Sequence, residues 1–180
     1  MRGRIGIIFQ KPSLDLDLSA EENIRLHACM YGLYGYRPFF SWMPATYRER
    51  VTELAGVMGI AGKLHKPLKT FSGGMQRKIE IIRSLVHQPA VLFLDEPAQG
   101  LDPVSRRSLW NYLNAARKEY GTTVFLTTHY IDEAENADRL CMIQREKIVF
   151  SGTPSELKTS LHSESLEDAY IGLLTEGGEK

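Results

Sequence analysis

Apolar residues follow two rhythms along this chain. Unbroken runs occur at RIGIIFQ (4–10), AVLFLDEP (90–97) and TTVFLTTH (122–129). Runs of that length read as buried strands, and the second reads as covered on both faces, as in a parallel sheet. Elsewhere the apolar residues recur at helical spacing. Val51, Leu54, Val57 and Met58 do so within ATYRERVTELAGVMGI (45–60). Met75, Ile79, Ile82, Leu85 and Val86 make one face of a helix that opens at Ser72 and stops before Pro89. Ser19 with Glu22 three residues on is a capping box for a further helix. The segment from Pro103 has proline near its start and Gly121 past its end, the usual asymmetry of a helix. YIDEAENA (130–137) predicts a short helix, RLCMIQ and KIVFSG flank Arg145-Glu146 as a hairpin, and the tail TEGGEK is expected to fray.

Strand and helix alternate after residue 72, which predicts an α/β fold with a parallel sheet. The expected organisation is a strand region over 1–18, a mostly helical insert over 19–71, a sheet lobe opened by the Ser72 helix over 72–160, and a tail over 161–180. Within the insert, YRPFFSWMP (36–44) is bracketed by prolines and reads as a loop or helix break. Its Phe39, Phe40, Trp42 and Met43 either fold back onto the insert or form an exposed patch for a partner.

Charge changes the picture by exclusion. Twenty-two basic residues balance 22 acidic ones, which argues against a domain built to neutralise nucleic-acid phosphates. Two cysteines, Cys29 and Cys141, make neither a disulfide framework nor a metal cluster. No apolar run reaches the roughly 18 residues of a membrane span, so a soluble cytoplasmic chain is expected.

The chemistry gathers at the ends of the runs. Asp95 and Glu96 close the second strand, where ligands collect in open α/β sheets. One carboxylate there can hold Mg²⁺ and its neighbour can deprotonate a water, or the pair can simply cap the next turn. His129 ends the third strand and Gln10 the first; each has an ordinary structural reading. Ser72-Gly73-Gly74 opens a helix, and that is either a plain N-cap or an anion site.

Taken in order, Gln10, the insert, FSGGMQRK, VLFLDEP, GLD and TTH resemble the ATP-binding cassette (ABC) transporter ATPases over residues 4–160. The resemblance implies a P-loop NTPase-like (RecA-like) sheet lobe with a helical signature subdomain. It also implies ATP and Mg²⁺ as cofactors. Glu96 and His129 would be the catalytic residues, with Asp95 and Gln10 at the metal. Gln10, Ser72, Gly73, Gly74, Gln76 and Asp102 would contact nucleotide, with SGGMQ as signature and GLD as D-loop. The implied partners are a second cassette subunit, head to tail, whose nucleotide meets SGG, and a transmembrane permease that holds the chain at the inner face of the membrane. Exporters of the drug, polysaccharide and antibiotic-resistance type are the most similar. Ala98-Gln99 departs from the threonine-threonine or threonine-serine pair expected before GLD.

The family's phosphate-cradling loop is Gly, four residues, Gly-Lys, then Ser or Thr. Gly62-Lys63 is the sequence's only Gly-Lys; Leu64 follows it and no strand run precedes it. In the family that loop lies upstream of the Q-loop glutamine. The resemblance therefore implies the C-terminal portion of a cassette ATPase without its P-loop half, with a non-hydrolysing binding or regulatory module as the alternative.

Overall fold

The computed structural model describes residues 4–10 and 13–176. Two compact units divide the chain, Met1–Thr127 and Thr128–Lys180.

The first unit is built on a parallel sheet of β1 (Ile5–Ile8), β2 (Val91–Asp95) and β3 (Thr123–Thr127), in that order. Ile5 pairs with Val91 and Val91 with Thr123, so β2 and β3 end level at Asp95 and Thr127. Among the described residues four α-helices flank the sheet: α1 (Ala20–Met30), α2 (Ala45–Val57), α3 (Gly73–Leu85) and α4 (Pro103–Tyr120), with short 3₁₀ turns between them. Helix α3 packs on β1 and α4 on β3, while α1 and α2 lie against α3. The faces are those the spacing predicts. Val51, Leu54, Ile79 and Ile82 are fully buried, and Met58, Leu85 and Val86 nearly so. Each fully buried side chain of this size contributes about 1.5–3 kcal/mol relative to exposure.

Helix α1 starts at the predicted capping box, with Ser19 Oγ accepting from the Glu22 amide and the Glu22 carboxylate accepting from the Ser19 amide. Insert entry and exit are laced together. Leu68 and Lys69 donate their amides to the carbonyls of Leu18 and Leu16, and Glu21 donates to Leu64. The chain thus leaves β1, builds a helical layer, and returns to start α3 beside the same strand. Gly121, at φ 64°, ends α4 as expected.

One expectation is corrected. The strands are covered on one face, not two, among the described residues. Leu92 and Leu94 are buried, but Phe93 is 41% exposed, with Ile5, Ile7 and Phe125 on the same side at 37%, 41% and 61%. Alternate residues of a strand point to opposite faces, and α3 and α4 both fill the side of Leu92 and Leu94. A continuous apolar run does not reveal how many faces are filled.

The proline-bracketed segment resolves into both of its readings. Met43 is buried, and Phe40 sits edge-on to Tyr47 and His65. Phe39 and Trp42 meet edge to face at 5.0 Å and are 57% and 58% exposed.

The second unit holds the predicted hairpin, β4 (Leu140–Gln144) with β5 (Lys147–Gly152), turned by Arg145 and Glu146 at φ 46° and 65°. It also holds three helices, α5 (Ile131–Ala134), α6 (Pro154–Ser160) and α7 (Leu166–Glu176), around Leu157, Leu166 and Ala169. The helices α6 and α7 escaped the sequence reading, although Thr153 and Glu156 form a complete capping box with Pro154 behind Thr153. Of the tail expected to fray, Thr175 and Glu176 lie in the last turn of α7 and the rest falls outside the described residues.

Candidate functional site

Phosphate chemistry asks for free N–H groups, carboxylates at strand ends, and a reason for each glycine. Ser72 is the N-cap of α3 and its hydroxyl accepts from the Met75 amide at 3.4 Å, a long bond that leaves the cap exposed. The two glycines behind it differ. A Cβ on Gly74 would stand 2.5 Å from the Gly100 carbonyl oxygen, so the approach of α3 to the 100–102 turn demands glycine there. A Cβ on Gly73 would meet nothing within 4 Å. Packing explains Gly74 and leaves Gly73 unexplained, while Gly73 stands exposed in the first turn of a 13-residue helix, where N–H groups have no intrahelical acceptor. Gln76 turns back, its amide donating to the Phe71 carbonyl at 3.3 Å.

The carboxylates stand where β2 ends. Thr127 Oγ1, across the sheet, donates to Asp95 Oδ1 at 2.6 Å. Glu96 has φ 45°, a left-handed conformation uncommon outside glycine. It is held there by its own amide, which donates to the Thr127 carbonyl at 3.1 Å and meets Thr127 Oγ1 at 3.2 Å. Strain of this kind gathers at functional sites. Asp102 caps α4 by accepting from the Ser105 amide and hydroxyl at 2.9 and 2.6 Å, and it pairs with Lys78 of α3 at 3.2 Å. Those bonds, the Ser105 hydroxyl foremost, hold the exposed Asp102 carboxyl well below the ordinary carboxylate range.

Among the described residues no three His, Cys, Asp or Glu side chains gather to hold a metal. A divalent cation beside Asp95 would complete its shell from phosphate and water oxygens, which is the habit of Mg²⁺. The residues present fit that group: a carboxylate at the strand end, oriented by a hydroxyl.

In the first unit the structure brings Gly74 to Gly100, and Asp95 and Glu96 to Thr127. Gln10 is exposed just past β1. His129 lies in the second unit, exposed, its ring 4.2 Å from that of Tyr130. The residue that sequence reasoning missed is Arg77. It is buried one turn into α3, and its guanidinium donates to main-chain carbonyls at the ends of both β1 and β2. Its signal was an arginine beside the apolar face of α3 with Glu80 three residues on. Gly62-Lys63 lies in a short 3₁₀ turn after α2.

Comparison with known proteins gives a consistent family. Residues 1–99 match the family model described as ABC transporter. The chain is 43% identical over 167 residues to the daunorubicin/doxorubicin resistance ATP-binding protein DrrA of Streptomyces peucetius, covering 92% of this chain and 48% of that protein. It is 33% identical over 178 residues to the probable multidrug ABC transporter ATP-binding protein YbhF of Escherichia coli, covering 96% and 29%. It is 36% identical over 159 residues to the Nod factor export ATP-binding protein I of Ralstonia nicotianae, covering 88% and 46%. A solved structure of the ATP-binding subunit of an ABC transporter superposes with a TM-score of 0.80 at 26% identity, covering 96% of this chain and 69% of that one. The chain thus spans about half or less of the length of these curated relatives. Among the described residues no helix is long and apolar enough to cross a membrane.

Proposed function

This chain belongs to the ABC transporter ATPase family, and from that premise we propose that it serves as the nucleotide-binding part of a drug-exporter-type transporter, coupling ATP hydrolysis to transport through a permease. The observation that carries the reading is Glu96. A carboxylate in a left-handed backbone conformation, anchored through Thr127 at the open end of a parallel sheet, is a costly arrangement that folding alone does not require.

Bound Mg²⁺ and ATP supply a polarised γ-phosphate that water can attack. The chain's own residues do the rest. Glu96 accepts the proton of the attacking water, which needs a base at a fixed distance. Asp95 would hold the metal, and the Thr127 hydroxyl keeps one of its oxygens oriented. Gln10 would present an amide to metal or water, and His129 would contact the γ-phosphate. Ser72 and Gly73 offer a hydroxyl and free amides to the nucleotide of a second subunit arranged head to tail, with Gln76 and Asp102 at the rim. Phe39 and Trp42, exposed on the insert, suit docking to the permease, because aromatics anchor interfaces.

The test is Glu96→Gln in the assembled ATPase. The amide keeps shape and loses basicity, so steady-state turnover should fall at least about hundredfold while nucleotide stays bound. Asp95→Asn should instead raise the Mg²⁺ concentration needed for half-maximal rate. Turnover by Glu96→Gln at the parent rate would overturn the base assignment, whereas an assembled parent that binds nucleotide without turnover would favour the non-hydrolysing module.

A further inference from the structure

Arg77 is more connected than any core residue needs to be. It is 5% exposed. Its Nη1 donates to the Phe9 carbonyl at 2.5 Å and to Glu80 Oε2 at 3.1 Å. Its Nη2 donates to the carbonyls of Asp95 and Glu96 at 2.6 and 2.9 Å, and Nε reaches the Pro97 carbonyl at 3.4 Å. One guanidinium thus takes four carbonyls from the ends of two neighbouring strands. One lies directly before Gln10, and three belong to the turn that carries Glu96. These oxygens stand where β1 and β2 end, and the Glu96 oxygen also accepts from the Gln99 amide at 3.1 Å.

Filling space does not require this. A buried cation is costly unless fully paired, and an apolar side chain would fill the same volume. What the guanidinium adds is a rigid fork of five donors that a lysine ammonium does not reproduce. Glu80 neutralises the charge while accepting from the Ser13 amide at 2.9 Å and lying 3.5 Å from Arg83. The carbonyl bonds fix the main chain on both sides of the unusual φ of Glu96. Arg77 also rides on the helix that begins at Ser72 and Gly73.

We propose that Arg77 is a positioning residue. It holds the Glu96 turn and the residue before Gln10 in register with the start of α3, so that the base and the nucleotide-contacting helix move as one body. The proposal rests on the reading of Glu96 as the base. It predicts a loss in the chemical step and not in nucleotide binding.

The experiment compares Arg77→Lys, Arg77→Met, Glu80→Gln, Glu96→Gln and the Arg77→Met/Glu96→Gln double variant in the full-length assembled ATPase. Arg77→Lys keeps the charge opposite Glu80 and is the variant most certain to fold. Both Arg77 variants should lose at least about tenfold in kcat, the scale of a misplaced catalytic group, with KM for ATP within about twofold. Glu80→Gln should keep kcat within about threefold. In the double variant, Arg77→Met should add nothing to the loss from Glu96→Gln. Amide hydrogen exchange of the nucleotide-free protein supplies a readout besides activity: residues 93–99 should exchange faster in both Arg77 variants and not in Glu80→Gln. Three results would each overturn the proposal: Arg77→Lys at full kcat, Glu80→Gln falling as far as Arg77→Met, or independent multiplication of the two losses in the double variant. A fully active Glu96→Gln would overturn the reading beneath it, whereas an inactive Glu96→Gln beside a fully active Arg77→Lys removes the positioning role alone.

Discussion

The first turn of α3 and the turns that follow it obey different rules. From Gly74 onward the helix answers to the interior: Gly74 clears the Gly100 carbonyl, Arg77 and Glu80 pair in the interior, and Ile79 and Ile82 are fully buried. At Ser72 and Gly73 those reasons stop. The hydroxyl makes one long bond, and a side chain at Gly73 would meet open space. Two adjacent glycines in one motif are therefore answers to two questions, one about packing and one about what approaches from outside.

That contrast is most directly broken at Gly73. Gly73→Asp should leave the thermal midpoint nearly unchanged, because a carboxylate suits a helix start. In the assembled dimer it should lower hydrolysis by about a hundredfold, the scale of a lost oxyanion contact. Steady-state ATPase assays beside a melting curve check both halves. Normal hydrolysis would return Gly73 to the role of a plain cap neighbour.

Gly74→Ala should act the other way. A Cβ 2.5 Å from a backbone oxygen forces α3 and the 100–102 turn apart, at a cost of about 1–3 kcal/mol. Urea unfolding should show it as a lower midpoint at unchanged slope. If Gly73→Ala and Gly74→Ala melt alike, the distinction between the glycines fails.

The interior layer also carries a pH signature. Burial, with help from Arg83 and His87, pushes the His27 imidazole down to about 4 from its ordinary 6.5. A lowered folded value means that the unfolded chain binds the proton first. The stabilisation is thus complete above pH 6.5 and is lost as pH falls toward 4. Discounted for a ring that is only partly buried, the loss is about 1 kcal/mol, or about 2–4 °C in Tm. His27→Gln should melt with a shallower decline than the parent between pH 7 and pH 4.5.

The smallest effect belongs to the outermost residues. Phe39→Ala with Trp42→Ala should change stability by less than about 0.5 kcal/mol, as exposed substitutions do, while reducing co-purification with the permease. Phe40→Ala should cost more stability, since Phe40 packs on Tyr47 and His65. Equal costs would mean that the stretch is uniformly core.

Much of this was legible in the chain itself. The period of Val51, Leu54 and Met58 and of Ile79, Ile82 and Leu85 specifies helices whose buried faces match, since helical spacing and burial report one geometry. Ser19 with Glu22 and Pro103 with Gly121 mark helix ends because the unpaired groups there need local partners. The order of SGGMQ, LFLDE and GLD was enough to suggest the family, and residues 1–99 match its model. Other features depended on contacts distant in sequence. Phe93 and Leu92 are equally apolar, yet only the placement of α3 and α4 decides that one is buried and the other exposed. Phe39 and Phe40 are neighbours of the same type, and a 3₁₀ turn sends one inward and one out. Gly74 is required by an oxygen 26 positions away, and Arg77 takes carbonyls from Phe9 to Pro97. Local periodicity carries which residues share a face. It carries nothing about which backbone oxygens a distant helix will meet, because those partners exist only once the strands have ended side by side.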